Sequence, residues 1–373
     1  MNSRLMAGPI SFNEEDKKII LDAISDNGWY GERYKYVEKF EKEFAEYHGR
    51  RYGLMTPNCT QALNLLIYAL GIKPGDEVIV PECTWTGSVA AAACAGAIPV
   101  LCDIEEKTWC LNPDEVEKRI TEKTKAIIAV DVYGNMPNMD KLKEISSTYN
   151  IPLIEDAAEA LGSEYKGVKA GKFGVGSVFS FHCTKTITCG EGGILLLDNE
   201  ALYKKAKFYR DCGRSETEPY KVLEPSLKHM PSNLQAATVY SQFKRIKEII
   251  EKKRWIFRKY KEKLADISYL QFNEESESVY NGVWAVSMIF GKSHNMTAEK
   301  AMKELAKLNL PVRPFFYPLS SLPAYAKYNT GSKEKNPVAY DISSRGITLP
   351  GALIMKEEDI DEYCDGIKKI LNI

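Results

Sequence analysis

The 373-residue chain is 44% hydrophobic and 27% charged, a composition that supports a large buried core and two domains. Its 50 Lys and Arg nearly cancel its 51 Asp and Glu, so no overall basic field points to nucleic acid, and no apolar run is long enough to cross a bilayer. Nine scattered cysteines, none in a CxxC pair, and four dispersed histidines offer no zinc-binding pattern and fit a reducing cytoplasm.

The N-terminal stretch "MNSRLMAGPISFNEEDKKII" lacks the continuous apolar centre of a signal peptide and turns acidic early. From Tyr52 to about Asn199, short apolar runs alternate with helical segments. The runs are "YGLMT", "DEVIVP", "IPVLCDI", "KAIIAVDVYG", "IPLIED", "SVFSF" and "GGILLLD". Seven such runs with spacers like "TQALNLLIYALG" predict an α/β domain built on a mostly parallel seven-stranded sheet. "GSVAAAACAGA" predicts a tightly packable helix ending at Gly96, and "MDKLKEISSTYN" an amphipathic helix with Asn near its end. After Pro231, residues 232–267 read as one long helix, apolar on one face and basic on the other, the basic face being a solvated surface. "GVWAVSMIF" and "LPVRPFFYPL" read as strands, with helices over 297–308 and 357–371. The expected division is a large domain over 1–245 and a smaller C-terminal α/β domain over 246–373.

Ligands in such sheets sit beyond the carboxyl ends of the strands. Asp156 ends one strand; it can cap the following helix, or hold a proton on a heteroaromatic ring nitrogen. Lys185 follows another, in "SFHCTKTITCGEGG"; it is either a surface lysine or an amine able to form an imine with a carbonyl. Asn58, Cys59 and Thr60 open a helix, where capping and anion binding are both open to them. Ser180 adds a hydroxyl, and Trp85 is either core packing or a plate for a flat ring. Taken together these residues describe one ligand. A phosphate for the helix start, a ring for Trp85, a basic nitrogen for Asp156 and an aldehyde for Lys185 make up pyridoxal 5′-phosphate (PLP).

Order and context also resemble the DegT-type nucleotide-sugar aminotransferases, a family that includes the GDP-perosamine synthases. The resemblance runs over nearly the whole chain, from "GWYGERYKYVEKFEKEFAEYHG" through "VDVYGNMPNMDKL", "IEDAAEALGSEYKG" and "FSFHCTKTITCGEGG" to "LPGALIMKEEDIDEY". It implies a fold-type-I PLP enzyme that moves an amino group from glutamate to a nucleotide-linked 4-keto-6-deoxy sugar, with pyridoxamine 5′-phosphate (PMP) as the aminated cofactor. By the same resemblance Lys185 is the cofactor-binding lysine, Asp156 the ring-nitrogen partner and Glu159 a neighbour of the ring's phenolic oxygen. Trp85 takes the stacking position, and Ser180, Asn58, Cys59 and Thr60 the phosphate cradle. Lys228 is implied to reach that phosphate from a second subunit, in a homodimer with shared sites. Trp29, Tyr30, Tyr133, His182, Arg313 and Tyr317 are candidates for substrate contact. Cys59 stands where the family has glycine, and Met230 where many members have Arg or Asn, which leaves Arg313 as a replacement grip on the donor's carboxylate. A keto-sugar dehydratase on the same scaffold is the alternative; that branch carries a histidine where this chain has Lys185. A non-PLP nucleotide binder is disfavoured, because "GKFGVGSVF" lacks the GxGxxG order and "GVKAGKF" lacks a P-loop's spacing.

Overall fold

The structure is a computed structural model and describes residues 12–273, 275–328 and 331–373; the reading of segment 1–11 lies outside the described residues. The first strands in chain order are β1 (Tyr52–Thr56), β2 (Glu77–Pro81), β3 (Ile98–Cys102), β4 (Thr124–Val130) and β5 (Leu153–Asp156). There follow β6 (Glu164–Tyr165), β7 (Val168–Lys169), β8 (Gly176–Ser180) and β9 (Gly193–Leu197). The C-terminal part adds β10 (Leu270–Phe272), β11 (Val279–Tyr280), β12 (Val286–Phe290), β13 (Arg313–Pro314) and β14 (Gly346–Leu349).

All seven apolar runs read from the sequence join one sheet, in the order β1-β9-β8-β5-β4-β2-β3. Pairing is parallel except along β9, which runs against both β1 and β8. Both faces of this sheet are buried, which explains why its strands are apolar throughout rather than alternating with polar residues. Met55, Ile79, Ile127, Leu153, Phe179 and Ile194 face one core, against the helices Lys35–Tyr47, Met139–Tyr149 and Asn233–Phe243. Their neighbours Leu54, Val78, Ala126, Ile154, Val178 and Leu195 face the other, against the helices Cys59–Leu70 and Thr86–Cys94. The two-residue side-chain period of a strand thus sorts one hydrophobic run into two layers.

Helix boundaries follow local chemistry. Asn58 accepts from the Gln61 amide at 2.9 Å and caps Cys59–Leu70, which ends on Gly71 in a left-handed conformation. The predicted helix after Pro231 is in fact two, Asn233–Phe243 and Ile246–Lys263. Neither Gly nor Pro marks the break. Arg245, with φ −118° and ψ 29°, reaches across to the buried carboxylate of Asp16 at 2.8 Å.

A second, antiparallel sheet, β10-β12-β14-β13, carries its own core with Ile256, Phe257, Tyr260, Leu305 and Tyr363. Only Arg313 and Pro314 of the stretch "LPVRPFFYPL" pair as a strand. Strands β11, β6 and β7 form a small ribbon. The helix Ile246–Lys263 serves two cores: Ile249 and Ile250 pack with the large sheet, Ile256 and Phe257 with the small one. No helix among the described residues is long and apolar enough to cross a membrane.

Candidate active site

Six of the seven large-sheet strands point the same way, so the loops after β1, β2, β4, β5 and β8 gather at one edge. Gly193, opening the reversed strand β9, lies at that edge too. A Cβ there would stand 2.4 Å from the Cys59 backbone nitrogen, so only glycine lets β9 come this close to the helix start. Beyond the edge lies a cavity of about 1260 Å³, closed on its far side by residues of β13 and β14.

Asp156, the last residue of β5, is buried. Its Oδ2 accepts from Ser88 Oγ at 2.6 Å and its Oδ1 from the Ala158 amide at 3.2 Å. Burial pushes its pKa up, and the Ser88 hydrogen bond opposes that shift. Glu159 Oε1 accepts from Lys185 Nζ at 3.2 Å, while Oε2 accepts from the Tyr133 amide at 2.9 Å. Burial raises Glu159 as well, with the Lys185 charge working against it.

Lys185 is fixed at both ends. Its amide donates to the His182 carbonyl at 2.9 Å, and its Nζ lies 3.7 Å from the centre of the Trp284 ring. Trp284 Nε1 donates in turn to the Thr184 carbonyl at 2.7 Å, tying the indole to the lysine loop. Trp284 also runs nearly parallel to Tyr133, with 7° between planes and centroids 5.9 Å apart. Tyr133 holds φ +53°, an unfavourable backbone for an aromatic residue, and is kept there by Glu159 and by Phe316, whose amide donates to its hydroxyl at 3.1 Å.

Asn58, Cys59, Thr60, Trp85, Tyr133, Asp156, Glu159, Ser180, His182, Lys185, Arg313 and Tyr317 all line this cavity. Three candidates do not. Trp29 and Tyr30 are exposed on a π-helical turn, Asn27–Gly31, and Lys228 pairs with Asp211 away from its own chain's cavity. Sequence reasoning missed Ser88, Trp284 and Lys253. Ser88 had a faint signal, a hydroxyl two residues after Thr86 in an otherwise alanine-rich helix; the other two had none. Lys253 corrects the reading of its helix's basic face as solvated, because it is buried in the cavity wall.

The residues fit PLP on observations independent of any relative. Asp156 is a buried carboxylate beside open cavity, and a cationic N–H brought to it would reverse the effect of burial. Asn58 satisfies Gln61, but the helix start remains a site where amides and dipole favour a phosphate. Trp85 lines the cavity and is 62% exposed, so a flat ring there has a surface to cover. Such a cavity, at the carboxyl edge of this sheet and with an amine and a carboxylate facing it, defines the class: PLP-dependent aminotransferases of the α/β type.

The chain belongs to the DegT/DnrJ/EryC1/StrS aminotransferase family, whose model matches residues 12–368. It is 34% identical over 360 residues to the GDP-perosamine synthase of Escherichia coli O157:H7, covering 96% of each chain. It is also 34% identical over 362 residues to that of Vibrio cholerae, covering 97% of this chain and 98% of the other. Among solved structures it is similar to a putative sugar aminotransferase, Spr1654 from Streptococcus pneumoniae, in its PMP form. That match has a TM-score of 0.90 and 26% identity over 98% of this chain and 96% of the other.

Proposed function

We propose that this enzyme transfers an amino group from glutamate to the keto group of a nucleotide-linked 4-keto-6-deoxy sugar. The observation that carries the reading is the joint placement of Lys185, Glu159 and Asp156 in one cavity, in a chain alike over nearly its full length to GDP-perosamine synthases. When bound, PLP supplies a carbonyl that condenses with amines and a ring that takes up electrons. Asp156 would hold the ring nitrogen and keep its proton in place. Amides of Cys59 and Thr60 with the Ser180 hydroxyl would hold the phosphate, and Trp85 would cover the ring. Lys185 would tether the cofactor and, once released by the incoming amine, carry a proton on Nζ from donor to cofactor and back. Glu159, 3.2 Å from that Nζ, orients it.

The same reading includes a homodimer in which Lys228 of each subunit serves the other's phosphate. Exposed Trp29, Tyr30, Tyr220, Leu223 and Leu227 supply the apolar surface such a contact needs. Mixing Lys185→Ala with Lys228→Ala protein should then restore turnover, since one site of the hybrid is intact; two inactive parents that stay inactive when mixed would refute shared sites. Supply of amino sugars for surface glycans, in the cytoplasm, is the role this activity would serve.

The test of the reaction is done in two halves. PLP-loaded protein is treated with glutamate, then offered a panel of keto-sugar nucleotides. Conversion of the cofactor's absorbance by glutamate and its return with one sugar, with nitrogen found in the product, is the expected outcome. Product that has lost a hydroxyl without gaining nitrogen would overturn it in favour of a dehydratase.

A further inference from the structure

The basic helix Ile246–Lys263 sends most of its charges into solvent or ion pairs, but Lys253 is only 7% exposed. Its Nζ donates to the carbonyls of Gly351 at 2.6 Å and Trp284 at 3.1 Å, both in the cavity wall. An ammonium has three N–H groups, so one is left over. No carboxylate compensates it among the described residues. Burial lowers Lys253 to about 8, and a second cation, Arg313, adds to that lowering. Arg313 lines the same wall from β13, and its side chain makes no hydrogen bond or ion pair among the described residues. Two cations that share a wall without an anion repel each other and have lost hydration; an oxyanion arriving between them relieves both costs.

We propose that Lys253 and Arg313 form an oxyanion subsite that takes a carboxylate or phosphate group of a reactant. Its place in catalysis rests on the PLP reading above, whereas its capacity to bind an anion does not. Trp284 sets its distance from the chemistry: the carbonyl of this residue receives Lys253, and its indole lies against Lys185. An anionic group held here therefore belongs to a molecule whose reacting atom lies about one residue's reach away. Two sources carry such a group, the carboxylates of the amino donor and the diphosphate of the nucleotide sugar.

The experiment titrates the full-length, PLP-loaded protein by calorimetry with two probes that do not react, glutarate and inorganic pyrophosphate. Wild type is compared with Arg313→Gln and Lys253→Met. Loss of a charge-assisted hydrogen bond should weaken one probe by roughly 10- to 100-fold. Weakening confined to glutarate assigns the subsite to the amino donor; weakening confined to pyrophosphate assigns it to the nucleotide sugar. Arg313→Gln removes no internal hydrogen bond and should keep the melting temperature and the cofactor's absorbance. Should Lys253→Met fail to fold, its two carbonyls having lost their donor, Arg313→Gln alone decides. Affinities for both probes within about twofold of wild type overturn the proposal, as does failure of both probes to bind wild type. Protein that takes up no PLP would sink the reading of the site, yet the same titrations would still report on these two cations.

Discussion

Removing one hydroxyl tests whether Asp156 works as a charged partner of the cofactor. Ser88 Oγ donates to Asp156 Oδ2 at 2.6 Å, and both groups are buried. Ser88 lies in the helix Thr86–Cys94, next to a run of alanines, so Ser88→Ala carries no penalty in helix propensity and leaves the fold intact. What it removes is a hydrogen bond to an ionised acceptor, worth about 1.5–3 kcal/mol, or roughly 10- to 150-fold in a binding constant. The Ala158 amide at 3.2 Å would be the donor left to that carboxylate. Because the Ser88 bond lowers the Asp156 pKa against the upward pull of burial, its loss moves that pKa higher. Asp156 would then need a higher pH to become the anion that holds a protonated ring nitrogen. The assay is a spectrophotometric PLP titration at a series of pH values, with a melting curve alongside. Expected are an unchanged melt of the cofactor-free protein, weaker PLP binding by at least tenfold near neutrality, and a midpoint displaced to higher pH. A variant whose affinity and midpoint both match wild type would show that the Asp156 charge is not what secures the ring.

Lys185→Ala should lose the near-visible absorbance of bound PLP and all turnover; retained turnover would refute its assignment. Gly193→Ala should destabilise by about 1–3 kcal/mol and weaken PLP binding, since the new Cβ meets the Cys59 backbone at 2.4 Å and backbone cannot swing away; an unshifted melt would contradict that close approach. The buried acids Asp131 and Glu155 supply a pH prediction. Burial and the neighbouring Glu155 push Asp131 well up, and burial pushes Glu155 to about 7. The folded protein therefore holds more protons than the unfolded chain, so this pair contributes fully below the ordinary carboxylate range and its contribution is lost as pH rises through about 7. Asp131→Asn removes one of the two titrating acids and should flatten the fall in melting temperature; parallel curves for wild type and variant would dismiss the pair as its source.

The large sheet was legible because burial on both faces leaves a plain signature, a short apolar run closed by a turn. Its seven runs need no distant information to be recognised. The break between Phe243 and Ile246 carries no such local mark, and the residue at it, Arg245, is engaged by a carboxylate more than two hundred residues away. Two-residue strands such as β6, β7 and β13 carry too little pattern to stand out from loop. At the site the same division holds. Lys185 and Asp156 are readable because each follows a strand whose end is itself readable, and the fold class dictates that such ends converge. Ser88 and Trp284 owe their positions to the packing of one layer against another, which no local spacing records.

Lys253 shows the sharper form of that difference. In sequence it is one of a run of basic residues on an amphipathic helix, alike in type and spacing to Lys252 and Lys259. Lys259 meets Glu262 and Glu357 in solvent, which raises its pKa, while Lys253 is turned inward and lowered to about 8. Both belong to the helix Ile246–Lys263, and at about 100° per residue the steps between them place Lys253 on the buried side with Ile249 and Ile256 and turn Lys259 away from it.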